Sequence, residues 1–347
     1  MSKTFPHLFC EQPFTRLEIG TDGETFTCCP SWLPKPIGNL ATQSFDDVWN
    51  SKAAEEIRAS IHDGSFRFCR QDLCPRLMTE DMPKDKITRT DLLSLIQSGA
   101  TKLEQRPERV NCCYDRSCNL SCPSCRIELI LHKRGSAEFM QAEAIQNQIL
   151  SELPSLEWLE ITGSGDPFAS PLFFDLLKTI NAKDYPKLKI FLHTNGTLWN
   201  EQNWQEIAGI QSAVKKVEIS IDAATEETYS LNRRGGKFSS LLKNLKLIAK
   251  LRETGPITDL KISFVVQQNN FHEMDQFIAL GLELNVDRIY FSKLDQWGTF
   301  TADEFQARAV HLPEHPDHGK FLQALRSPNL RNPKVDLGNL INLSPSA

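Results

Sequence analysis

The sequence has no run of about 18 consecutive apolar residues, the length that a helix needs to cross a membrane. Its first residues also lack the apolar core of a secretory signal peptide, so we expect a cytoplasmic protein. Positive charge is not in excess, because 39 lysines and arginines face 44 aspartates and glutamates and the net charge is −5. This balance argues against broad electrostatic binding to nucleic acid.

Cysteine is missing from the C-terminal two-thirds of the chain, since all ten cysteines lie before residue 126. A secreted disulfide scaffold would be a shorter chain with a signal peptide, whereas clustered cysteines in a cytosolic protein more often hold metal. The distribution therefore predicts two metal-bearing regions near the N-terminus and a cysteine-free scaffold behind them.

From about residue 108 the chain alternates between strand and helix patterns. Strands are predicted at 108–114, 156–162, 188–193, 215–221, 259–266 and 287–292. Between them, apolar residues recur at helical spacing, as in Phe173, Leu176, Leu177 and Ile180. Six β–α units predict an α/β fold with a parallel sheet and helices outside. A doubly wound sheet fits, but a cysteine loop after the first strand favours a partial (β/α)6 TIM-type barrel, because barrel active sites collect at the carboxyl ends of strands.

The first 80 residues follow a different pattern and predict a small α+β domain in front of the barrel. Thr21 to Gly23 is a hairpin turn signal between two short strand patterns. Ser44 then caps a predicted helix that runs to about Ile61 and has acidic residues in its first turn. The predicted domain therefore consists of a hairpin followed by a helix.

Three further segments complete the predicted organisation. Residues 81–107 are charged and form a linker with a helical segment near Thr90 to Ser98. Residues 108–300 form the barrel. Residues 301–347 carry several prolines and are expected to pack as an irregular C-terminal cap.

Three cysteines form the most specific motif, on a loop that follows the first predicted barrel strand. Cys118, Cys122 and Cys125 have the spacing C-x3-C-x2-C. Three thiolates can hold three irons of a [4Fe–4S] cluster and leave the fourth iron open, whereas structural clusters normally have four cysteine ligands. Taken alone, the motif leaves two alternatives: a zinc site completed by Cys112 or Cys113, and a redox-active dithiol of Cys122 and Cys125.

Polar segments follow the triplet at successive predicted strand ends. Residues 162–168 read Thr-Gly-Ser-Gly-Asp-Pro-Phe, residues 193–196 read His-Thr-Asn-Gly, and residues 220–222 read Ser-Ile-Asp, with two arginines at 233 and 234. Each segment is a weak signal alone, because glycine, serine and aspartate are ordinary turn residues. Their order behind a three-cysteine loop is specific, and over roughly residues 108–295 the chain resembles the radical S-adenosylmethionine (SAM) enzymes.

In that family the open iron chelates the amino and carboxylate groups of SAM, and the strand ends bind the rest of the molecule. Ser164 stands where the family has a glycine and Asp166 where it has a glutamate, so a backbone contact is expected of Asp166 more than a side-chain contact. Arginine suits the SAM carboxylate because guanidinium pairs with carboxylates through two hydrogen bonds. The resemblance implies these SAM-binding residues: Ser164, Gly165, Asp166, Asn195, Ser220, Gln267 and Arg233 or Arg234.

The resemblance also implies a reaction. A reduced cluster passes an electron to SAM, and cleavage of SAM yields methionine and a 5′-deoxyadenosyl radical that abstracts hydrogen from a substrate. An electron donor such as flavodoxin or ferredoxin is the implied partner. Substrates of related groups include peptides and amino sugars, and the substrate of this chain stays open.

Cysteines in the first 80 residues resemble those of SPASM and shortened twitch domains, which hold auxiliary [4Fe–4S] clusters. The match begins at Cys10, continues at Cys28 and extends to Cys69 and Cys74. The resemblance and the cysteine count imply one auxiliary cluster on these four residues. Cys29 is an alternative to Cys28, since neighbouring residues of a strand face opposite ways, and a four-cysteine zinc site is the alternative to the cluster.

Three functions from different classes follow. The first is a two-electron oxidation or cross-link assisted by the auxiliary cluster, which needs a general base; the candidates at predicted strand ends are His193, Lys293 and Asp295. The second is an epimerase or isomerase in which Cys112 or Cys113 donates a hydrogen atom. The third is a non-catalytic iron–sulfur or zinc-binding protein.

Overall fold

The computed structural model describes residues 3–161 and 163–344. The chain divides into two compact units, which we describe separately. The first unit comprises Met1–Asp115, Lys133–Ser164 and Tyr185–Lys189, and the second comprises Arg116–His132, Gly165–Asp184 and Ile190–Ala347. The predicted boundaries at residues 80, 107 and 300 are not the boundaries of these units, and they stay predictions.

In the first unit five strands form a mixed sheet. They are β1 (Arg16–Ile19), β2 (Glu24–Phe26), β3 (Gly38–Asn39), β4 (Arg109–Cys112) and β5 (Trp158–Ile161), in the spatial order β5–β4–β1–β2–β3. β1 pairs in parallel with β4, and β4 with β5, whereas β1–β2 and β2–β3 are antiparallel. The predicted hairpin is confirmed, and Gly23 in its turn has a φ of +81°, a conformation that favours glycine.

Among the described residues of the first unit, six α-helices accompany this sheet. They are α1 (Gln12–Thr15), α2 (Phe45–Trp49), α3 (Lys52–His62), α4 (Pro75–Met78), α5 (Thr90–Ser98) and α6 (Ala137–Glu152). The helix near Thr90 is as predicted, but the single helix predicted from Ser44 to about Ile61 is wrong. It divides at Asn50, whose side chain bonds the backbone of Leu103, and Ser51 starts a second helix by accepting from Ala54 N.

In the second unit five strands pair in parallel throughout. They are β6 (Lys189–Thr194, of which residue 190 onward belongs to this unit), β7 (Val214–Ser220), β8 (Asp259–Val266), β9 (Arg288–Lys293) and β10 (Val335–Asp336), in chain order. Their register brings Ser220 opposite Ser263 and Val266 opposite Lys293. The rings of Phe264, Phe277 and Phe291 pack together in the core at centroid distances of 4.8, 5.5 and 5.7 Å.

Seven helices belong to the second unit. They are α7 (Pro171–Thr179), α8 (Glu201–Glu206), α9 (Glu226–Asn232), α10 (Phe238–Thr254), α11 (Met274–Glu283), α12 (Ala302–Arg308) and α13 (His318–Ala324). The tail is therefore not the irregular cap that its prolines predicted. It contributes α12, α13 and strand β10, which pairs with β9 in parallel, because the prolines lie between these elements rather than inside them.

The six predicted barrel strands all form, as β4 to β9, and a helix follows each of the first five before the next strand begins. This is the predicted α/β fold of the partial (β/α)6 TIM type, preceded by the small hairpin and helices of residues 10–76. Among the described residues, no helix has both the length and the apolarity to cross a membrane.

Candidate functional site

The cysteine loop (residues 116–132) of the second unit holds the C-x3-C-x2-C triplet. The amides of Cys125 and Arg126 both donate to Cys122 O at 2.9 Å, which closes a tight turn between the second and third cysteine. Cys118 and Cys122 are buried, whereas Cys125 is exposed. The loop therefore presents three thiols, of which one faces solvent.

Each sulfur of the triplet lies close to an N–H donor. The pairs are Leu120 N and Asn195 Nδ2 with Cys118 Sγ at 3.4 and 3.6 Å, Arg233 Nη1 with Cys122 Sγ at 3.8 Å, and Arg126 Nη2 with Cys125 Sγ at 3.5 Å. Donors of this kind stabilise thiolates, which are the form that binds metal. The donor set therefore fits three cluster-ligating cysteines.

The titration of the buried thiols leads to the same conclusion. Burial, together with the negative charge of Asp166, raises the pKa of Cys118 to about 11. Burial also raises the pKa of Cys122, while Arg233 lowers it. These thiols are protonated at neutral pH when no metal is bound, and a coordinated metal deprotonates them outright. Binding of a positively charged metal centre would therefore ionise the thiols of this loop.

The carboxylate of Asp166 accepts hydrogen bonds from other residues of the protein. It is 1% exposed, and its own amide donates to Ser117 O in the cysteine loop at 2.9 Å. The donors to its carboxylate are Phe168 N (3.0 Å) and Ala169 N (3.1 Å) at Oδ1, and Thr194 Oγ1 (2.6 Å) and Asn195 N (2.9 Å) at Oδ2. Asp166 thus ties the cysteine loop to the end of β6, which agrees with the weak side-chain role in SAM binding expected from the sequence.

The two arginines predicted for SAM have different surroundings. Arg233 pairs with Asp222 at 2.7 Å and points Nη1 at Cys122, and its Nε is buried with no partner among the described residues. Arg234 is exposed and bonds the carbonyls of Ser121 and Ile127 at 3.0 and 3.1 Å. A buried N–H without an acceptor costs about 1–3 kcal/mol, so Arg233 is the better candidate for an anionic ligand.

Ser220, at the end of β7, belongs to a polar group that includes His193 from β6. His193 Nε2 lies 2.7 Å from Ser220 Oγ, which is 3.3 Å from Ser263 Oγ. Glu218 lies 3.8 Å from His193 and pairs with Lys261. Burial lowers the pKa of His193 although Glu218 opposes the shift, so the imidazole is neutral at pH 7.

The remaining predicted residues of the second unit lie at three positions. Gly165 is the first residue of Gly165–Asp184, the second of the three chain segments that make up this unit. Gln267 is 2% exposed and follows β8 directly, and its backbone N–H donates to Asn270 Oδ1 at 2.6 Å. Lys293 ends β9, and burial raises the pKa of nearby Asp295 while Lys293 lowers it.

Sequence reasoning missed His311, which the tail brings into electrostatic contact with Lys293. Burial, together with the charges of Lys293 and His318, lowers the pKa of His311 to about 4. Its Nδ1 is buried without a partner among the described residues. The feature of the sequence that could have drawn attention to His311 is a group of three histidines within eight residues, at positions 311, 315 and 318.

In the first unit Cys113 lies against the Gly163–Ser164 segment. A Cβ atom at Gly163 would stand 2.8 Å from Cys113 Sγ, and Gly163 has a φ of +92°. Cys112 is fully buried in β4, and burial raises its pKa to about 12 although a hydrogen bond with Tyr114 lowers it. Of the two thiols, only that of Cys113 is partly accessible.

The four auxiliary cysteines of the first unit interact with one another. Burial raises the pKa of Cys10 to about 11 and of Cys69 to about 12, and the charge of Cys74 raises both. Burial raises the pKa of Cys28 as well, and Cys10, Cys29 and Cys69 add to this. Electrostatic interactions therefore link the four residues that the sequence predicted as ligands, and their role as ligands stays a prediction.

Cys29 has other neighbours. Burial raises its pKa, and the further influences come from Glu18, Ser31 and Arg16. This difference favours Cys28 over Cys29 as the ligand. Within residues 3–161 and 163–344, no group of three or more histidine, cysteine, aspartate or glutamate side chains is arranged to hold a single metal ion.

Comparison with protein families agrees with this geometry. Residues 115–279 match the model of the radical SAM superfamily, and residues 10–76 match the iron–sulfur cluster-binding domain known as SPASM. The chain therefore carries a radical SAM domain, and a SPASM iron–sulfur cluster-binding domain precedes it. A [4Fe–4S] cluster, SAM and an auxiliary cluster are its cofactors; which residues hold each of them stays a prediction.

Three characterised relatives resemble half of the chain. The mycofactocin maturase MftC of Mycobacterium ulcerans is 28% identical over 50% of this chain and 45% of its own length. The GTP 3′,8-cyclase of Peptoclostridium acidaminophilum is 26% identical over 49% of this chain and 50% of its own. The PqqA peptide cyclase of Rhodopseudomonas palustris is 28% identical over 52% and 45%. The chain thus spans about half the length of these relatives.

Proposed function

We propose that this protein is a radical SAM maturase that oxidises or cross-links an unactivated C–H position of a peptide substrate. The observation that carries the proposal is the presence of two separate cysteine groups. One has three members and leaves an iron open, and the other has four mutually interacting thiols. A group of four has no free iron for SAM and suits electron transfer.

When bound at the open triplet, the cluster supplies the electron that cleaves SAM into methionine and a 5′-deoxyadenosyl radical. An auxiliary cluster held by Cys10, Cys28, Cys69 and Cys74 would supply an electron acceptor, and a basic side chain would accept the proton. Loss of a hydrogen atom, a proton and an electron from the substrate would then amount to a two-electron oxidation. The protein has to orient SAM, exclude water and place the base.

Among the candidate bases, His193 has the strongest support. Burial lowers its pKa, so the ring is free of an extra proton at neutral pH and can accept one. The 2.7 Å contact with Ser220 holds the ring in place. Lys293 and Asp295 follow at the end of β9, where His311 is a further candidate.

The peptide substrate is supported by the names of two relatives, a maturase and a peptide cyclase. A third relative is a cyclase of GTP at nearly the same identity, so the resemblance itself does not separate a peptide from a smaller molecule. An amino-sugar-type substrate is the other class we retain.

The proposal can be tested by anaerobic reconstitution with iron and sulfide, followed by iron counting and a dithionite-driven SAM cleavage assay. We expect about eight irons and 5′-deoxyadenosine formation in the wild type, and about four irons without cleavage in the Cys118→Ala/Cys122→Ala/Cys125→Ala variant. The matched control is Cys10→Ala/Cys69→Ala, which should also retain about four irons but should still cleave SAM.

Two results would overturn parts of the proposal. About four irons together with zinc in the wild type would make the N-terminal site structural and remove the electron acceptor. Absence of iron-dependent SAM cleavage, with candidate peptides present, would leave a non-catalytic metal-binding protein.

An epimerase or isomerase is the second candidate, and the position of Cys113 favours it. This partly accessible thiol lies against Gly163, next to Ser164 and Gly165, which the resemblance implies as SAM-binding residues. A thiol there can return a hydrogen atom to the opposite face of a substrate radical. Deuterium from solvent would then appear in the product without net oxidation, and Cys113→Ser would abolish its incorporation, whereas an oxidised product that is insensitive to Cys113→Ser would exclude this candidate.

A further inference from the structure

Two of the donors that face the triplet carry a full positive charge. Arg126 is 4% exposed, and it donates through Nη1 to Arg116 O at 2.6 Å and through Nη2 to Cys125 Sγ at 3.5 Å. Arg233 keeps 13% of its side chain accessible and directs Nη1 to Cys122 Sγ at 3.8 Å. Buried guanidinium groups therefore lie beside two of the three sulfurs.

Charges so placed act on the oxidation state of a bound cluster. Reduction adds one negative charge, which spreads onto the cysteine sulfurs. Hydrogen bonds to these sulfurs and nearby positive charges stabilise the reduced state and raise the reduction potential. The effect is stronger in a buried site than in water, because the effective dielectric constant is lower.

We propose that Arg126 and Arg233 raise the reduction potential of the SAM-binding cluster by donating to Cys125 and Cys122. The inference rests on the assignment of the triplet as cluster ligands within the proposed function. It gives both arginines a positioning role, exerted through the sulfurs rather than on the substrate.

Arg233 shares its charge with Asp222, whose Oδ2 lies 2.7 Å from Nη2. Neutralising Asp222 therefore acts in the opposite direction to removing Arg233, because it frees the charge of Arg233.

The test is a redox titration of the reconstituted full-length protein, followed by electron paramagnetic resonance. The signal that changes on addition of SAM belongs to the open cluster and separates it from the auxiliary one. For Arg126→Met, the ratio of reduced to oxidised open cluster at a fixed potential should fall about tenfold, equivalent to about 59 mV for one electron. Arg233→Met should also lower this ratio.

Arg234→Met is the matched control. Arg234 also bonds the cysteine loop, but through the carbonyls of Ser121 and Ile127 rather than through a sulfur. The potential should therefore not change. Arg126→Lys keeps the charge and should recover most of the wild-type potential if Arg126→Met fails to take up iron.

Asp222→Asn is an independent test, because the expected change in reduction potential has the opposite sign. Asparagine tolerates the φ of +58° at this position and can still accept from Val265 N, as Asp222 Oδ1 does at 2.7 Å. The potential should rise in this variant. Equal potentials in the wild type and in the Arg126, Arg233 and Asp222 variants would overturn the inference.

Failure of the proposed function would look different. Without an open cluster the iron count stays at about four and no signal responds to SAM, whatever the arginine variants do. With a SAM-responsive signal present, only its midpoint decides the role of the arginines.

Discussion

The two cysteine regions are braced by buried side chains of opposite charge. In the first unit Arg58, which is fully buried, donates to three carbonyls and one amide oxygen: those of Pro13 (2.9 Å), Trp49 (2.8 Å), Thr101 (2.8 Å) and the side chain of Asn50 (3.0 Å). In the second unit the carboxylate of Asp166 accepts from three amides and one hydroxyl. Both braces bond mainly to backbone groups.

The two regions differ in the groups that surround the cysteine sulfurs. Around the four auxiliary cysteines, burial and mutual electrostatic interactions raise the pKa values, and the backbone amide of Gln12 hydrogen-bonds Cys10. Around the triplet, every sulfur has an N–H donor, and two of these donors are arginines. A site that has to accept an electron and bind zwitterionic SAM gains from such charged donors.

Replacing single auxiliary cysteines should produce the largest effect. Cys28→Ala removes a thiol that interacts with Cys10 and Cys69, so about four of eight irons should be lost. Cys29→Ala is the matched control and should retain all of them. Iron counting after reconstitution checks this, and the reverse result would make Cys29 the ligand.

Removing the cationic brace should have the next largest effect. Arg58→Met leaves the carbonyls of Pro13, Trp49 and Thr101 buried without a donor, so we expect a loss of about 3–4 kcal/mol in the free energy of unfolding. Arg67→Met is the control: Arg67 is 43% exposed and pairs with Asp63 four residues away, and its loss should cost about 0.5 kcal/mol or less. Urea denaturation measures both; equal losses would show that Arg58 is not a brace.

Altering the anionic brace should cost less. Asp166→Asn keeps one acceptor oxygen but turns an NH2 group toward N–H or O–H donors, so we expect a loss of about 1–3 kcal/mol in the free energy of unfolding. Exposed Asp184→Asn should change it by about 0.5 kcal/mol at most. If Asp166 instead contacts SAM through its carboxylate, SAM affinity will fall while stability is unchanged, which equilibrium binding would reveal.

The smallest effect concerns the pH dependence of stability in the second region. Because burial lowers the folded-state pKa of His193 from its ordinary 6.5, the unfolded chain takes up the proton first. Stability is therefore greatest above pH 6.5 and falls as the pH drops toward the folded-state pKa. His193→Gln should lessen this fall between pH 7.5 and 5.5 in urea denaturation, whereas exposed His272→Gln should follow the wild type.

Local patterns predicted much of this protein. The six barrel strands appear within two residues of their predicted bounds, and the hairpin around Gly23 is formed as expected. Apolar periodicity and turn residues report on neighbours within a few positions, which is the range over which a strand or a hairpin is decided. The helix break at Asn50 was missed because its cause, the backbone of Leu103, lies 53 residues away.

The same limit applies to the candidate site. The spacing of Cys118, Cys122 and Cys125 indicated an open cluster, but nothing in it showed that Arg126 would turn back onto Cys125 or that Asp166 would serve the backbone. The difference between Arg233 and Arg234, adjacent in sequence, depends on whether a guanidinium faces Asp222 or the carbonyls of the cysteine loop.

The sequence by itself determined the class of this protein, because cluster ligation requires a particular residue type at a particular spacing and both can be read along the chain. Only the tertiary structure decided which charges stand next to which sulfurs. Electrostatic interactions depend on distance and burial in space, and residues far apart in sequence, such as Cys122 and Arg233, come together only when the chain folds.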